Sequence, residues 1–210
     1  MKLFKVLLLS CLLAFASGAC AEAKLDKDYR FIPQPQSVET GNKIEVVEFF
    51  YYGCSHCFDA EPYLKKWKSS MAQDVAFRRI PAVFRESWLP LTKTFCTLEA
   101  LGELERLHGD VFDAIHLKGI NMNDQNVMFD WVEKHGVDRK KFADTYESFA
   151  IRNRVENARR LTQAYSVEGT PSYIVDGKYI TGPGFAGSHE NSIKVLDELI
   201  NKARQERTKR

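Results

Sequence analysis

The segment that most constrains this chain is Ile44-Glu45-Val46-Val47-Glu48-Phe49-Phe50-Tyr51-Tyr52-Gly53-Cys54-Ser55-His56-Cys57. Its apolar, aromatic and β-branched first half predicts a buried strand over Ile44–Tyr51. The strand delivers a Cys-x-x-Cys pair onto the start of a helix expected from about Ser55 to Met71. Orphan backbone N–H groups and the positive end of the helix dipole favour an anion at that position. Cys54, at the N-cap after the flexible Gly53, is therefore expected to be exposed and acidic. His56 adds a second stabiliser if it is protonated or donates toward the sulfur. Cys57, one turn inward, is expected to be shielded and less acidic, as a resolving thiol. A stabilised thiolate favours the dithiol over the disulfide, so such a pair gives its disulfide away readily.

Two other uses of the pair explain less. A structural disulfide at this spacing closes almost no loop and stabilises little. A zinc site needs about two further ligands, and His108, His116, His135 and His189 are scattered without ligand spacing. No metal or cofactor is expected. Gly182-Pro183-Gly184-Phe185-Ala186-Gly187 matches G-x-G-x-x-G, but too little chain follows for a dinucleotide unit, and a glycine-rich turn is expected.

Residues 1–21 read as a cleavable secretory signal. Lys2 and Lys5 precede the apolar run from Val6 to Phe15, and Ala19-Cys20-Ala21 offers a small-x-small cleavage site. The run is too short to span a bilayer. Lipidation of Cys20 is disfavoured, because Ser17 stands where a large aliphatic is usual. Of 30 Lys and Arg, two lie in this segment with no acidic residue, which leaves 28 basic against 28 acidic groups. That balance gives no reason to expect nucleic acid or an anionic membrane as partner. Without the leader the cysteines are Cys54, Cys57 and Cys96. An odd count suits a reversible couple plus one buried, inert thiol better than a disulfide framework.

Along the rest of the chain, residues 22–43 predict an extended lead-in with at most one short strand near Tyr29–Ile32, and Val75–Ile80 predicts a second strand. Pro62 predicts a kink in the first helix. From Pro90 to Tyr165 the apolar residues recur at three and four, which predicts four or five helices. Asp110, Asp124 and Asp138 are expected starts, with Gly109, Gly119 and Gly136 as stops. Strand character returns at Ser172–Val175 and Lys178–Thr181 around an Asp176-Gly177 hairpin turn, and a last helix is expected over His189–Ala203 with a solvated basic tail. The order implies a small α/β sheet interrupted by a helical insertion. The expected boundaries are 1–21 for the signal, 22–85 and 161–210 for the two parts of the sheet domain, and 86–160 for the insertion.

The stretch Glu48–Cys57, the later Gly169-Thr170-Pro171-Ser172-Tyr173 and the helical block between them resemble the DsbA family of bacterial periplasmic disulfide oxidoreductases. The resemblance covers nearly all of the chain beyond the leader. It implies a thioredoxin-like fold with an inserted all-helical domain, and a cis Pro171 beside the disulfide, with the Thr170 backbone offered to an extended substrate. It further implies that Glu48 is a buried acid beneath the pair, suited to passing protons to and from Cys57. From the residues alone, Glu48 fits a solvent-facing strand position equally well. Family members deliver a disulfide to newly exported, reduced proteins in the periplasm and are recharged by a quinone-linked membrane reoxidase of DsbB type. A monomer is implied, because family dimers are chiefly isomerases with a dimerisation segment not seen here. Two departures bear on the oxidase–isomerase balance: Ser55-His56 replaces the Pro-His of the best-known members, and Thr170 is also used by isomerase-type relatives. The alternatives are an isomerase or reductase using the same pair, or a noncatalytic chaperone-like binding module.

Overall fold

The computed structural model describes residues 23–209, so the expected signal, with Cys11 and Cys20, lies outside the described residues. A five-stranded sheet has the order β1-β5-β4-β2-β3, with β1 Arg30–Phe31, β2 Ile44–Phe50, β3 Val75–Pro81, β4 Ser172–Val175 and β5 Tyr179–Thr181. Only the β2–β3 pairing is parallel. Helix α1 (Ser55–Ser69) makes that crossover, and five helices separate β3 from β4: α2 Leu89–Ala100, α3 Leu104–His116, α4 Gln125–Lys134, α5 Arg139–Tyr146 and α6 Phe149–Ala164. A single 3₁₀ turn, Glu86–Trp88, leads into them, and a short α7 (Pro183–Ala186) and the long α8 (His189–Thr208) close the chain.

Every residue of β2 is buried, because the sheet is covered on both faces. Ile44 and Val46 pack with Ala60, Leu64 and Trp67 of α1 and with Leu196, Leu199 and Ile200 of α8. Val47 and Phe49 point the other way, onto Ala158, Leu161 and Tyr165 at the end of α6. The third cluster joins Phe50, Tyr51, Tyr52 and Cys57 to the apolar faces of α2–α6. The resolving thiol thus lies in the seam between sheet and insertion.

Asp124 and Asp138 do cap α4 and α5, accepting from Asn126 and Val127 N–H and from Lys141 N–H. Gly109 and Asp110 instead lie inside α3. Burial of Leu107, Val111, Phe112 and Ala114 carries the helix through a glycine whose propensity cost is only about 1 kcal/mol. Helix α1 runs on through Pro62 to Ser69. Helix α8 continues five residues past Ala203, and two of its last basic residues are paired rather than free in solvent. Arg204 Nε donates to Asp74 Oδ2 at 2.7 Å, and Arg207 pairs with the buried Asp176 of the hairpin turn. Those partners lie 130 and 31 residues away in sequence, beyond the reach of local patterning.

Candidate active site

Strand β2 ends by turning through Tyr51–Gly53, and Cys54 N–H donates to Tyr51 C=O at 3.0 Å. The turn needs glycine for close approach rather than for an unusual φ. A Cβ on Gly53 would come within 2.5 Å of the Tyr51 ring, which is itself stacked on Trp88 at 3.9 Å. Cys54 is the N-cap of α1, with extended backbone angles and no side-chain capping bond. Its sulfur therefore sits where the first amides of the helix are unpaired.

The two sulfurs are free thiols in very different surroundings. Cys54 is half-buried, and its Sγ lies 3.4 Å from the Thr170 carbonyl oxygen. Hydrogen bonding from the Cys57 thiol is the largest influence on it. Burial opposes, while the Thr170 side chain and the amides of Cys57 and His56 assist, and the Cys54 thiol is pulled down to about 5. Cys57 is fully buried, and that burial, with the Cys54 charge beside it, pushes its thiol well above the ordinary value. The imidazole of His56 is exposed and 6.5 Å, centre to centre, from that of His189. Of His56, it is the backbone amide that bears on Cys54.

The Thr170–Pro171 peptide is cis. Gly182, in the glycine-rich segment, backs onto this loop: a Cβ there would lie 2.7 Å from the Pro171 carbonyl oxygen. An open groove of roughly 1190 Å³ runs from His56 past Thr170 and Pro171 to Phe31 and Phe185. On the other side of Cys54, Phe58 stacks on His116 and Tyr51 on Trp88, so the surroundings of the thiol are largely apolar.

Glu48 is completely buried on the α1-facing side of β2. Arg79, its register partner on β3, donates from Nε to Glu48 Oε2 at 2.7 Å, and Oε1 has no partner. Burial raises the Glu48 carboxyl to about 7 against the opposing charge of Arg79. The same guanidinium holds Glu61 at 2.8 Å; Glu61 reaches His108 at 3.3 Å, and His108 Nδ1 meets the Tyr52 hydroxyl at 2.9 Å. Burial also raises Glu61, but bonding to His108 and the Arg79 charge prevail and its carboxyl ends below the ordinary value. Burial pushes the His108 imidazole down, toward neutrality.

Glu61, Arg79, His108 and Tyr52 were not legible as site residues. One signal was available: Glu61 follows Cys57 by four residues and so shares its helix face. Arg79 joins only through the β2–β3 register, which no local pattern encodes.

A family model described as "DSBA-like thioredoxin domain" matches residues 45–190. The chain belongs to the DsbA family of thiol:disulfide oxidoreductases. It is 40% identical over 203 residues to the thiol:disulfide interchange protein DsbA of Pseudomonas aeruginosa, covering 94% of this chain and 96% of that protein. To the DsbA of Burkholderia cepacia it is 35% identical over 209 residues, covering 98% and 99%. The crystal structure of P. aeruginosa DsbA superposes with a TM-score of 0.84 at 39% identity, over 89% of this chain and 97% of that one. Reduced DsbA1 from Neisseria meningitidis gives 0.79 at 28% identity, over 90% and 100%. The thioredoxin fold with a helical insertion is thus the family fold. Among the described residues of this DsbA-family chain, no helix is long and apolar enough to cross a membrane.

Cys96 stands apart from this chemistry. It is buried on α2, and burial pushes its thiol up to about 12. Cys96→Ala is expected to leave turnover of a reduced peptide unchanged. A large loss in that assay would give this thiol a role.

Proposed function

We propose that the chain is a periplasmic oxidase that donates a Cys54–Cys57 disulfide to extended, newly exported proteins and is recharged by a quinone-linked membrane partner of DsbB type. The observation that carries the direction of transfer is the asymmetry of the sulfurs: Cys54 pulled down to about 5, Cys57 pushed up. At neutral pH the dithiol form keeps Cys54 ionised, and this stabilises the product of donation relative to the disulfide.

In the forward half-cycle a substrate thiolate attacks Cys54 Sγ, the Cys54–Cys57 bond breaks, and its electron pair leaves on Cys57. That sulfur is buried and poorly suited to carrying charge, so it takes up a proton. Glu48, which titrates near neutrality and whose charge acts on Cys57, would supply one. A second substrate thiolate then attacks the substrate sulfur of the mixed disulfide. Cys54 departs as a thiolate, and its low pKa makes it a good leaving group. The open groove past Thr170 and Pro171 would receive the extended chain, with the Thr170 backbone as its edge.

A redox titration of the purified protein against glutathione tests the direction. An oxidant is expected, with a potential above about −200 mV. A value near about −270 mV, as in reducing thioredoxins, together with poor oxidation of a reduced peptide, would assign the pair to reduction or isomerisation.

The pH dependence of stability follows the same asymmetry. The folded Cys54 pKa of about 5 lies below the ordinary value of 9.0. Its contribution to the reduced protein is therefore complete above the unfolded value, shrinks as the pH falls, and is gone below the folded one. The oxidised protein has no such term. The melting temperature of the reduced form minus that of the oxidised form is expected to drop between pH 8 and pH 4, as thermal melts of both would show; a constant difference would contradict an acidic Cys54.

A further inference from the structure

We propose that His56, Asp59 and His189 form a site for a single divalent transition ion of the zinc class at the rim of the thiol groove. His56 and Asp59 are three residues apart in α1 and so share one face. His189 opens α8, which packs along α1 and is tied to it by the Trp67 Nε1–Asp197 bond of 2.8 Å. The packing brings one ligand atom from each of the three side chains within 4.8 Å of the others. Zinc takes imidazole nitrogen and carboxylate oxygen at about 2.0–2.2 Å, so two atoms in its tetrahedral sphere lie about 3.3–3.6 Å apart. Rotation of two exposed side chains, His56 and Asp59, closes the remaining gap.

The independent observation is on His189. Its Nδ1 is buried and has no hydrogen-bond partner, although an unpaired buried polar atom is costly. The ring is held by stacking on Tyr63 at 5.7 Å, so it enters the cluster positioned and with an uncommitted nitrogen. Two imidazoles and one carboxylate suit zinc, copper or nickel rather than calcium or magnesium, which prefer all-oxygen sets. Three protein ligands leave a fourth position open, and two of the three, His56 and His189, line the groove. Among the described residues no other group of three such side chains meets this spacing. On the reading given under Proposed function, which this last consequence alone requires, an ion here would occupy the rim of the groove beside His56 and His189 and so obstruct an extended chain bound there.

Zinc binding is measured on the oxidised protein, where Cys54 and Cys57 are bonded to each other and cannot ligate, by competition of Zn²⁺ with a chromophoric indicator. One Zn²⁺ per chain is expected, with affinity at least about tenfold weaker in Asp59→Asn and in His189→Gln, since even outer-shell partners of a metal site are worth that much. Circular dichroism and the melting temperature of both variants check that they fold. Absence of binding up to about millimolar Zn²⁺, or unchanged affinity in either folded variant, overturns the proposal. Binding by the reduced protein alone, insensitive to both substitutions, also overturns it and assigns the ion to the two sulfurs. None of these outcomes depends on which way the disulfide is transferred.

Discussion

Cys54→Ser is expected to abolish oxidation of a reduced peptide, whereas Cys57→Ser is expected to accumulate mixed disulfides through Cys54. The difference follows from where the two sulfurs sit. Cys54 is half-buried at the N-cap of α1, beside Thr170 at the edge of the groove, and ionised at neutral pH. Cys57 is fully buried in the seam with the helical insertion, where an incoming thiolate cannot reach it. Loss of the first removes the only atom a substrate can attack. Loss of the second leaves that atom in place and removes the intramolecular thiol that would otherwise expel a stalled substrate. Non-reducing gels of the Cys57→Ser protein incubated with an oxidised peptide read out the adducts. Full activity in Cys54→Ser would remove the proposed nucleophile, and retention of biological activity by the double serine variant would point to a binding module instead.

Arg79→Ala is expected to cost about 3–5 kcal/mol of stability, the typical penalty for leaving a buried charge without its partner. Arg79 neutralises two acids at once, Glu48 at 2.7 Å and Glu61 at 2.8 Å, in a region closed to water around Glu48. Burial already holds the Glu48 carboxyl near 7 with the guanidinium present, and without it the carboxyl moves higher still. An acid whose folded pKa is raised is tolerated while protonated and destabilises as the pH climbs through that value. The loss should therefore be smaller at pH 5 than at pH 8, which urea unfolding at the two pH values will show. Adding Glu48→Gln should recover part of the loss, because a neutral amide needs no counter-charge, and the double-mutant cycle gives the coupling. A pH-independent loss below about 1 kcal/mol would mean that water, not Arg79, carries the charge of Glu48.

How far the site was legible depends on the range of the interactions that build it. The pair and its N-cap position follow from a strand running into a helix, all within residues 44–57, whereas the burial that raises Cys57 comes from the distant helices packed over it. The helix starts at Asp124 and Asp138 were legible for the same reason, since a cap is made with amides two or three residues on. The expected start at Asp110 failed because burial of α3 on the other helices outweighs a local glycine signal. Helix α8 runs past the expected end at Ala203, where Arg204 and Arg207 meet Asp74 and Asp176, partners that no local pattern carries.

By itself, then, the amino-acid order determined the reactive motif, the alternation of sheet and helical insertion, and the hairpin at Asp176-Gly177, all set by periodicities and contacts of a few residues. Only the tertiary structure decided that Glu48 is buried rather than solvent-facing, because both faces of β2 are covered by distant elements. It alone joined Glu48 to Arg79, Glu61 and His108, through strand register and helix packing. Likewise His56 and Asp59 share a face of α1, but the distant His189 joins them only where α1 meets the start of α8. The physical reason is common to all three: burial and pairing depend on which surfaces meet, and a linear pattern encodes the surfaces but not the meeting.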